Sequence, residues 1–447
     1  MFPKMGHGFV KESQSSSLGK TRQFFQRRTF LRLDLPLILV CLALLLFGLM
    51  MLYSASAELS FYFSGTRDLF AIYDIFLRQV FALMVALVAA PAVVLIDYRI
   101  WKPFVFPAAV LVIVMLLLVL FIGESRFGAR RGLFGGSYQP AELAKFVTVV
   151  YVAFWLESKK ETLKEITLGL IPLILILGIM SAFILLQPDY SAVLTILIIG
   201  GMLFFLAGGD WKQILLLVMG VFILGVLIIL FTDTGRIRVM NWMQGIADPT
   251  LAPYQVQRAL EAFYKGGFFG VGLGNSVTKS TGLPTPQSDS IFAIVGEEFG
   301  LIGTTFLLGL YLVILWRGLA ISQRAPDHLG TLLAAGMTVW IVMEALINMA
   351  QIVNLIPFTG NALPFISAGG SNLVVSIFAI ATILNVCIRS ESQKEPKDDL
   401  FSKMVDLRRW DRRRRISRPR RTPSTKERNP PPKGSVSDED RHTVSFM

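Results

Sequence analysis

The stretch "LPLILVCLALLLFGLMMLY" at residues 35–53 decides the class of fold, because it is long, apolar and free of charged side chains. A helix needs about 20 such residues to cross the hydrocarbon core of a bilayer. Further runs of this kind follow almost to Cys387, and 53% of the 447 residues are hydrophobic whereas only 17% are charged. This composition is typical of a membrane protein and differs from that of a soluble domain.

The apolar runs predict ten membrane-spanning segments, of which the fourth is short. Each must be a helix, because lipid offers no partner to an unpaired backbone and the runs lack the alternation of a membrane barrel. We therefore predict an all-α, polytopic membrane protein with about ten transmembrane helices and a large extracytoplasmic loop before the eighth. The predicted spans are 35–53, 76–96, 104–122, 141–155, 166–186, 192–206, 214–231, 291–316, 332–354 and 373–388.

The charged segments predict the orientation and the domain limits. An even number of spans puts both termini on one side, and the basic residues near the two ends of the chain favour the cytoplasm for that side. We expect a cytoplasmic basic tail at 1–34, a transmembrane domain at 35–388 and a disordered basic cytoplasmic tail at 389–447. The last segment is too polar to bury a core of its own.

Three loops then fall on the extracytoplasmic side, at 123–140, 232–290 and 355–371. The first two carry several cations, although the positive-inside rule predicts few there. Long loops are translocated whatever their charge, so one explanation needs no ligand. The other is that these cations attract an anionic ligand.

Ionisable side chains inside or beside apolar spans are candidates for a functional site, because burying them in a membrane is costly. Glu142 and Lys145 are three residues apart, so they either pair on one helix face or take part in binding. Asp189 and Asp289 each precede an apolar helix, where an acid caps the helix or faces a cleft as a reactive carboxylate. The ninth span adds Glu344.

The sequence lacks the common signatures of other chemistries. It has no phosphate-binding loop, no HExxH motif and no cluster with metal-ligand spacing, so we expect neither a metal nor a cofactor. The segment "GFFGVGLGNS" at 267–276 has the glycine spacing of a dinucleotide turn, but it follows no βαβ pattern. We interpret it as glycine-rich turns at a membrane surface.

Six segments, taken in order, resemble one family, the SEDS proteins of shape, elongation, division and sporulation. They cover the chain from about residue 35 to 388, and their order makes the resemblance specific. Within the family, "GEEFG" and the "PFTG" before "LPFIS" resemble the division and sporulation branch more than the elongation branch. The segments are "GLMMLYSAS" (48–56), "FLRQ" (76–79), "GARRGLFGGSYQPAELAKF" (128–146), "LLQPDYSAV" (185–193), "YQVQRALEAFYKGGFFGVGLGNSVTKSTGLPTPQSDSIFAIVGEEFGLIG" (254–303) and "INMAQIVNLIPFTGNALPFISAGGSN" (347–372).

The resemblance implies a metal-independent peptidoglycan glycosyltransferase in the cytoplasmic membrane of a bacterium. Such an enzyme polymerises lipid II, an undecaprenyl-diphosphate-linked disaccharide peptide, into β-1,4-linked glycan strands on the outer face during cell division or shape control. The implied partners are lipid II, the membrane and a class B penicillin-binding protein transpeptidase, and no nucleic acid is expected.

The resemblance also implies the roles of individual residues. The family's essential aspartate matches Asp289, which we predict to be the general base that deprotonates the acceptor hydroxyl. Cations would hold the diphosphates, with Arg236 and Arg238 as secondary candidates. The predicted substrate-binding residues are Arg78, Arg130, Arg131, Glu142, Lys145, Asp189, Lys279 and Ser367.

The sequence departs from the family pattern beside the candidate base. Gln287 and Ser288 replace a histidine and a threonine, Ser290 replaces a phenylalanine, and Ala368 replaces a tyrosine. The acid itself is retained, so the departures concern the groups around it. Two other functions stay open: a flippase that transports lipid II, and a non-catalytic scaffold that recruits a transpeptidase.

Overall fold

The computed structural model describes residues 33–64, 69–126, 129–132 and 138–394. Side chains are described within these ranges except at 57–74, 124–131 and 391–394. The predicted cytoplasmic tails, apart from residues 33–34 and 389–394, lie outside the described residues, so their predicted character stays a prediction.

Helices make up most of the described chain, and a single short hairpin interrupts them. The hairpin pairs β1 (Glu124–Arg126) with β2 (Ala129–Gly132) antiparallel. Short 3-10 turns lie at Tyr98–Trp101 and Pro249–Leu251, and a π-helical turn lies at Ile166–Leu170. The α-helices are α1 (Leu35–Ser64), α2 (Leu69–Leu95), α3 (Lys102–Ile122), α4 (Pro140–Ser158), α5 (Ile171–Leu185), α6 (Tyr190–Leu206), α7 (Trp211–Phe231), α8 (Asp233–Ala247), α9 (Tyr254–Gly266), α10 (Ile291–Gln323), α11 (His328–Ile352) and α12 (Gly370–Lys394).

Eight stretches of the described chain are long and apolar enough to cross a membrane, which confirms the predicted fold class. They are Leu35–Ser56, Ile75–Leu95, Tyr98–Ile122, Ile166–Leu185, Trp211–Phe231, Ile291–Gln323, His328–Ile352 and Gly370–Ser390.

The other two predicted spans are also helical, but each falls short of a free-standing span. The sixth forms α6, which has only 17 residues, and the fourth forms α4, which carries Glu142, Lys145 and Glu157. Both helices are packed among their neighbours, with α4 against α3, α6 and α11. A helix shielded by protein needs less apolar surface than one facing lipid, and the number of ten spans stays a prediction.

The centre of the bundle is formed by α11 and α12, whose membrane spans are 83% and 78% buried. By contrast, the span in α7 is 6% buried, so this helix lies at the periphery. Helix α11 packs against α4, α6, α10 and α12, and most of its polar side chains are buried with the apolar ones. Its polar groups must therefore find partners inside the protein.

The segment between α7 and α10 is structured. Helix α9 buries Val256, Ala259 and Ala262 on one face and packs against α10. Helix α10 is broken at Gly300, which has φ 65° and ψ −161°. The break lies within the predicted eighth span, and the glycine-rich segment that follows α9 is hydrogen bonded to it.

Ion pairs tie the helices together at the opposite end of the bundle. Asp34 caps the start of α1, with the amide of Leu37 3.0 Å from its Oδ1, and pairs with Arg317 of α10. Asp327 caps α11 and accepts hydrogen bonds from Tyr98 at 2.8 Å and from Arg99 at 2.7 Å. This end is therefore crosslinked by charges from several helices.

Candidate active site

Asp289 lies half-buried in the loop that leads into α10. Ser290 takes the N-cap position of this helix, one residue after Asp289, and its hydroxyl makes no cap hydrogen bond. The sequence interpretation of Asp289 as the N-cap residue is therefore off by one position. Its backbone is fixed from another helix, because the side-chain amide of Asn348 in α11 donates to the Asp289 carbonyl at 3.0 Å.

Three consecutive carbonyls, those of residues 287–289, each accept a hydrogen bond from a different group. The amide of Ala368 donates to Gln287 O at 2.8 Å, and Ser367 Oγ donates to Ser288 O at 2.7 Å. Asn348 supplies the third, to Asp289. The chain around the candidate base is thus held by α11 and by the loop before α12.

That loop is in turn ordered by its own contacts and by α2. Ser367 Oγ accepts the amide of Leu363 at 2.8 Å. Gln79, the residue after Arg78, donates to Ser367 O at 3.3 Å and accepts the amide of Gly369 at 3.0 Å. The structure therefore joins the segments that begin with "FLRQ" and "INMAQ" to the loop of Asp289.

One of the departures beside Asp289, Ser290, has a structural role. Ser290 Oγ is buried, donates to Pro284 O at 3.0 Å and accepts from Gln255 Nε2 at 2.5 Å. The same Gln255 amide lies 3.3 Å from Thr285 Oγ1. A serine at 290 thus anchors the loop to α9.

A second loop approaches the carboxylate itself. Gly360 has φ 74°, and a Cβ placed on it would lie 3.2 Å from Asp289 Oδ2. The loop is held by Gln351 Oε1, which accepts the amides of Thr359 at 2.8 Å and Gly360 at 3.1 Å. A glycine at 360 therefore permits both the backbone conformation and the close approach to Asp289.

A guanidinium that the sequence offered only as a secondary candidate contacts this second loop. Arg238 of α8 is half-buried, donates to Thr359 O at 3.4 Å and lies 5.4 Å from the centre of the Tyr190 ring. Tyr190 directly follows Asp189, so Arg238 connects the Asp189 segment to the loop beside Asp289. The cations of segment 232–290 were the available signal.

Asp189 is the N-cap of α6, as the capping interpretation predicted. Its Oδ1 accepts the amide of Ala192 at 3.2 Å and the hydroxyl of Ser191 at 2.8 Å. Its Oδ2 accepts Gln139 Nε2 at 3.3 Å, which ties α6 to the residue before α4. Its role in substrate binding stays a prediction.

Glu142 and Lys145 form the ion pair that their spacing predicts, with Lys145 Nζ 2.9 Å from Glu142 Oε2. Lys145 also pairs with Glu344 of α11, and all three side chains are buried. Asn372 donates to Glu142 Oε2 at 3.0 Å. The ammonium is thus surrounded by protein carboxylates, and its proposed binding role is untested.

Hydrogen bonds connect this buried triad to Asp289. Asn361 Nδ2 donates to Glu344 O at 3.1 Å, and Asn361 O accepts Asn348 Nδ2 at 2.5 Å. Since Asn348 also donates to the Asp289 carbonyl, Asn361 and Asn348 connect the backbone of Glu344 to the backbone of Asp289.

Lys279 is the centre of a second buried cluster. Its ammonium lies 3.1 Å from Glu298 Oε1, 3.2 Å from Ser54 Oγ and 2.7 Å from Gly274 O. The adjacent Glu297 accepts the hydroxyl of Ser276 at 2.5 Å and neighbouring backbone amides. The two adjacent acids of "GEEFG" therefore hold the segment before Asp289 against α10.

The remaining predicted cations are Arg78, Arg130 and Arg131. Arg78 is exposed on α2, next to Gln79, which contacts the loop of Ser367. The backbones of Arg130 and Arg131 lie in β2, and their side chains are outside the described residues. The structure thus brings Ser367, Arg238 and Gly360 to the Asp289 loop, whereas Lys145 and Lys279 sit in buried ion pairs.

Comparisons with known proteins agree with the resemblance predicted from the six segments. Residues 35–392 match the cell cycle protein family of FtsW, RodA and SpoVE. The chain is 33% identical over 369 residues to a "Probable peptidoglycan glycosyltransferase FtsW" of Geobacter sp. (strain M18), covering 80% of this chain and 97% of that protein. It is 34% identical over 361 residues to the stage V sporulation protein E of Bacillus subtilis (strain 168), covering 79% and 96%.

Solved structures share the fold. A peptidoglycan synthase complex, described as coordinating polymerization and crosslinking, contains a chain that matches with a TM-score of 0.63 at 23% identity, covering 79% of this chain and 97% of that one. The rod shape determining protein RodA of Thermus thermophilus matches with a TM-score of 0.57 at 24% identity, covering 79% and 96%.

Proposed function

This chain belongs to the FtsW, RodA and SpoVE family of cell cycle proteins and is a multi-pass membrane peptidoglycan glycosyltransferase, and on that premise we propose that Asp289 is its general base and lipid II its substrate. The observation that carries the proposal is the fixation of Asp289. Three successive carbonyls at 287–289 accept hydrogen bonds from α11 and from the loop before α12, while the carboxylate stays half-buried beside Gly360. A general base must be held in place and still reach its substrate.

The proposed step is a displacement at the anomeric carbon of the donor sugar. Asp289 takes the proton of the acceptor's 4-hydroxyl as the oxygen attacks that carbon, and the bond from the carbon to the lipid diphosphate breaks. The electron pair of that bond leaves with the diphosphate. One base and cations near the leaving group suffice, because the donor is already activated.

Among the diphosphate-binding residues we place Arg238 beside the base. It is the cation that contacts the Gly360 loop through Thr359, and guanidinium groups bind phosphate oxygens well. We keep Arg78, Arg130 and Arg131 as further diphosphate-binding residues. For Glu142, Lys145, Asp189, Lys279 and Ser367 we propose that they support substrate binding by positioning the loops that they contact.

We further propose that the Asp289 end of the bundle is extracytoplasmic and that both termini are cytoplasmic. The basic residues near the chain ends support this orientation. A transpeptidase of the class B penicillin-binding proteins is the proposed partner. The likeness to a chain of a complex that couples polymerization to crosslinking supports it.

Glycan polymerisation from purified lipid II, by the full-length protein in bilayers with and without the partner, tests the assignment of the base. Asp289→Asn removes the basic oxygen with little change in volume, so we expect loss of polymer formation. Asp248→Asn is the matched control, because Asp248 is an exposed acid in the same segment. Polymerisation by a folded Asp289→Asn protein at the wild-type rate would refute the general base. Transfer of lipid II across the bilayer without any polymer would favour a flippase instead.

A further inference from the structure

The break in α10 is filled by the glycine-rich segment that follows α9. The carbonyls of Glu297 and Glu298 accept the amides of Val271 at 2.9 Å and Gly272 at 3.0 Å. Beyond the break, the amides of Leu301 and Ile302 donate to the carbonyls of residues 267 and 268 at 2.9 Å and 3.2 Å. Backbone groups that the break would leave unpaired are thus satisfied within the protein, which is the condition for irregular backbone at membrane depth.

Two glycines make this close pairing possible. A Cβ on Gly270, whose φ is 79°, would lie 2.2 Å from the carbonyl oxygen of Glu298. A Cβ on Gly300 would lie 2.5 Å from the amide nitrogen of Gly270. Since neither position accommodates a side chain, the segment is built to lie directly on the broken helix.

The segment presents aromatic side chains outwards. Phe268 and Phe269 are 69% and 83% exposed, and Leu273 is 50% exposed. They continue the apolar outer surface of α10, where Leu301 and Ile302 are 54% and 56% exposed. In a membrane protein such a surface faces acyl chains, whereas in water it would be an unusually large apolar patch.

The position of the break along α10 places this segment at bilayer depth. Arg317 pairs with Asp34 at the other end of the bundle, where a charged pair marks the membrane boundary. At about 1.5 Å per residue, Gly300 lies about 26 Å from Arg317, within the hydrocarbon thickness of about 30 Å. Tilt of the helix shortens the distance between Gly300 and Arg317 as measured along the bilayer normal.

We propose that segment 267–274 enters the lipid leaflet on the Asp289 side of the bundle, with Phe268 and Phe269 among the acyl chains of the bilayer. Lipid is the occupant because the aromatic surface is continuous with the lipid-facing surface of α10 and its backbone is paired to that helix. The exposed Tyr264 at the end of α9 then lies near the head groups, where tyrosine is enriched. This inference is independent of the role of Asp289.

Spin-label accessibility in the full-length protein, reconstituted in phosphatidylglycerol and phosphatidylethanolamine bilayers, tests the proposal. Cys41 and Cys387 are first replaced by alanine, and a nitroxide is then attached to single cysteines introduced by Phe269→Cys, Phe306→Cys or Thr250→Cys. Phe306 is 57% exposed on α10 and serves as the lipid-facing reference, and Thr250 is exposed in the 3-10 turn and serves as the aqueous reference. The accessibility of each label is measured once with oxygen, which concentrates in lipid, and once with a water-soluble nickel complex.

We expect the oxygen-to-nickel accessibility ratio at residue 269 to be severalfold higher than at residue 250 and close to that at residue 306. A ratio equal to that at residue 250 would overturn the proposal, because the segment would then lie in water. An immobile label at residue 269 with low accessibility to both reagents would overturn it too, because protein would then cover the segment. Polymerisation by the unlabelled Phe269→Cys protein checks that the fold is retained.

Discussion

Gly360→Ala is the substitution that tests the geometry beside Asp289 most directly. It adds one methyl group at a backbone φ of 74°, and that methyl carbon would lie 3.2 Å from Asp289 Oδ2. The left-handed conformation costs a residue with a Cβ about 1–2 kcal/mol. The contact adds a second effect, because either the carboxylate or the loop must move by a few tenths of an ångström.

The expected effect on the rate follows from this displacement. A shift of about 1 Å at a reacting group costs about 100-fold. We therefore expect a smaller loss for Gly360→Ala, of about tenfold in the polymerisation rate at saturating lipid II, which corresponds to about 1.4 kcal/mol in the barrier. Fluorescent lipid II and gel separation of the glycan strands give this rate.

Gly208→Ala is the matched control for backbone strain. Gly208 has φ 92° in the turn between α6 and α7, and nothing lies within 4 Å of a Cβ placed there. Both variants should lower the midpoint of thermal unfolding in detergent, because both incur the conformational cost. Only Gly360→Ala should lower the rate. Equal rates in the two folded variants would refute the proposed proximity of Gly360 to a reacting carboxylate.

Three further substitutions test other parts of the site and the fold. Asn348→Ala leaves the partly buried carbonyl of Asp289 without its side-chain donor, at a cost of about 1–3 kcal/mol. We therefore expect kcat to fall by about tenfold or more with little change in KM, and an unchanged kcat would contradict the positioning role. Lys145→Met leaves two buried carboxylates without their cation, which should cost about 3–5 kcal/mol of folding free energy. Thermal unfolding should therefore occur at a lower temperature, and adding Glu344→Gln should restore part of the loss. Partial burial acts to raise the pKa of Asp327, but hydrogen bonds from a backbone amide, a tyrosine hydroxyl and an arginine lower it below 3.8. This lowered pKa stabilises the folded protein at pH values above the ordinary pKa of an aspartate, and the contribution is lost as pH falls through the pKa of Asp327 in the folded protein. The wild type should therefore lose thermal stability below about pH 4, and Asp327→Asn should lose less.

Local spacing predicted the contacts between residues close in sequence. The three-residue spacing of Glu142 and Lys145 gave their ion pair, and the place of Asp189 before an apolar helix gave its capping role. These predictions succeed because helix geometry alone brings such groups together. The apolar runs identified the helices for a different reason, because lipid offers no partner to an unpaired backbone.

Contacts between residues far apart in the chain produced no sequence pattern comparable to this local spacing. Glu344 meets Lys145 from a helix 199 residues away, and Arg238 meets Thr359 across 121 residues. The sequence marked Glu344 as an ionisable side chain within an apolar span but could not identify its partner. The break of α10 was also missed, because the apolar run continues past Gly300 to Trp316 despite the two acids that precede this glycine.

The hydrogen bonds at residues 287–289 have a consequence for sequence variation in this family. All three reach carbonyl oxygens, which every amino acid possesses, so the hold on the base does not depend on the side chains at positions 287 and 288. A lineage can therefore exchange histidine and threonine for Gln287 and Ser288 without releasing the aspartate. The constraint falls instead on Asn348 and Ser367, whose side chains supply two of the three donors.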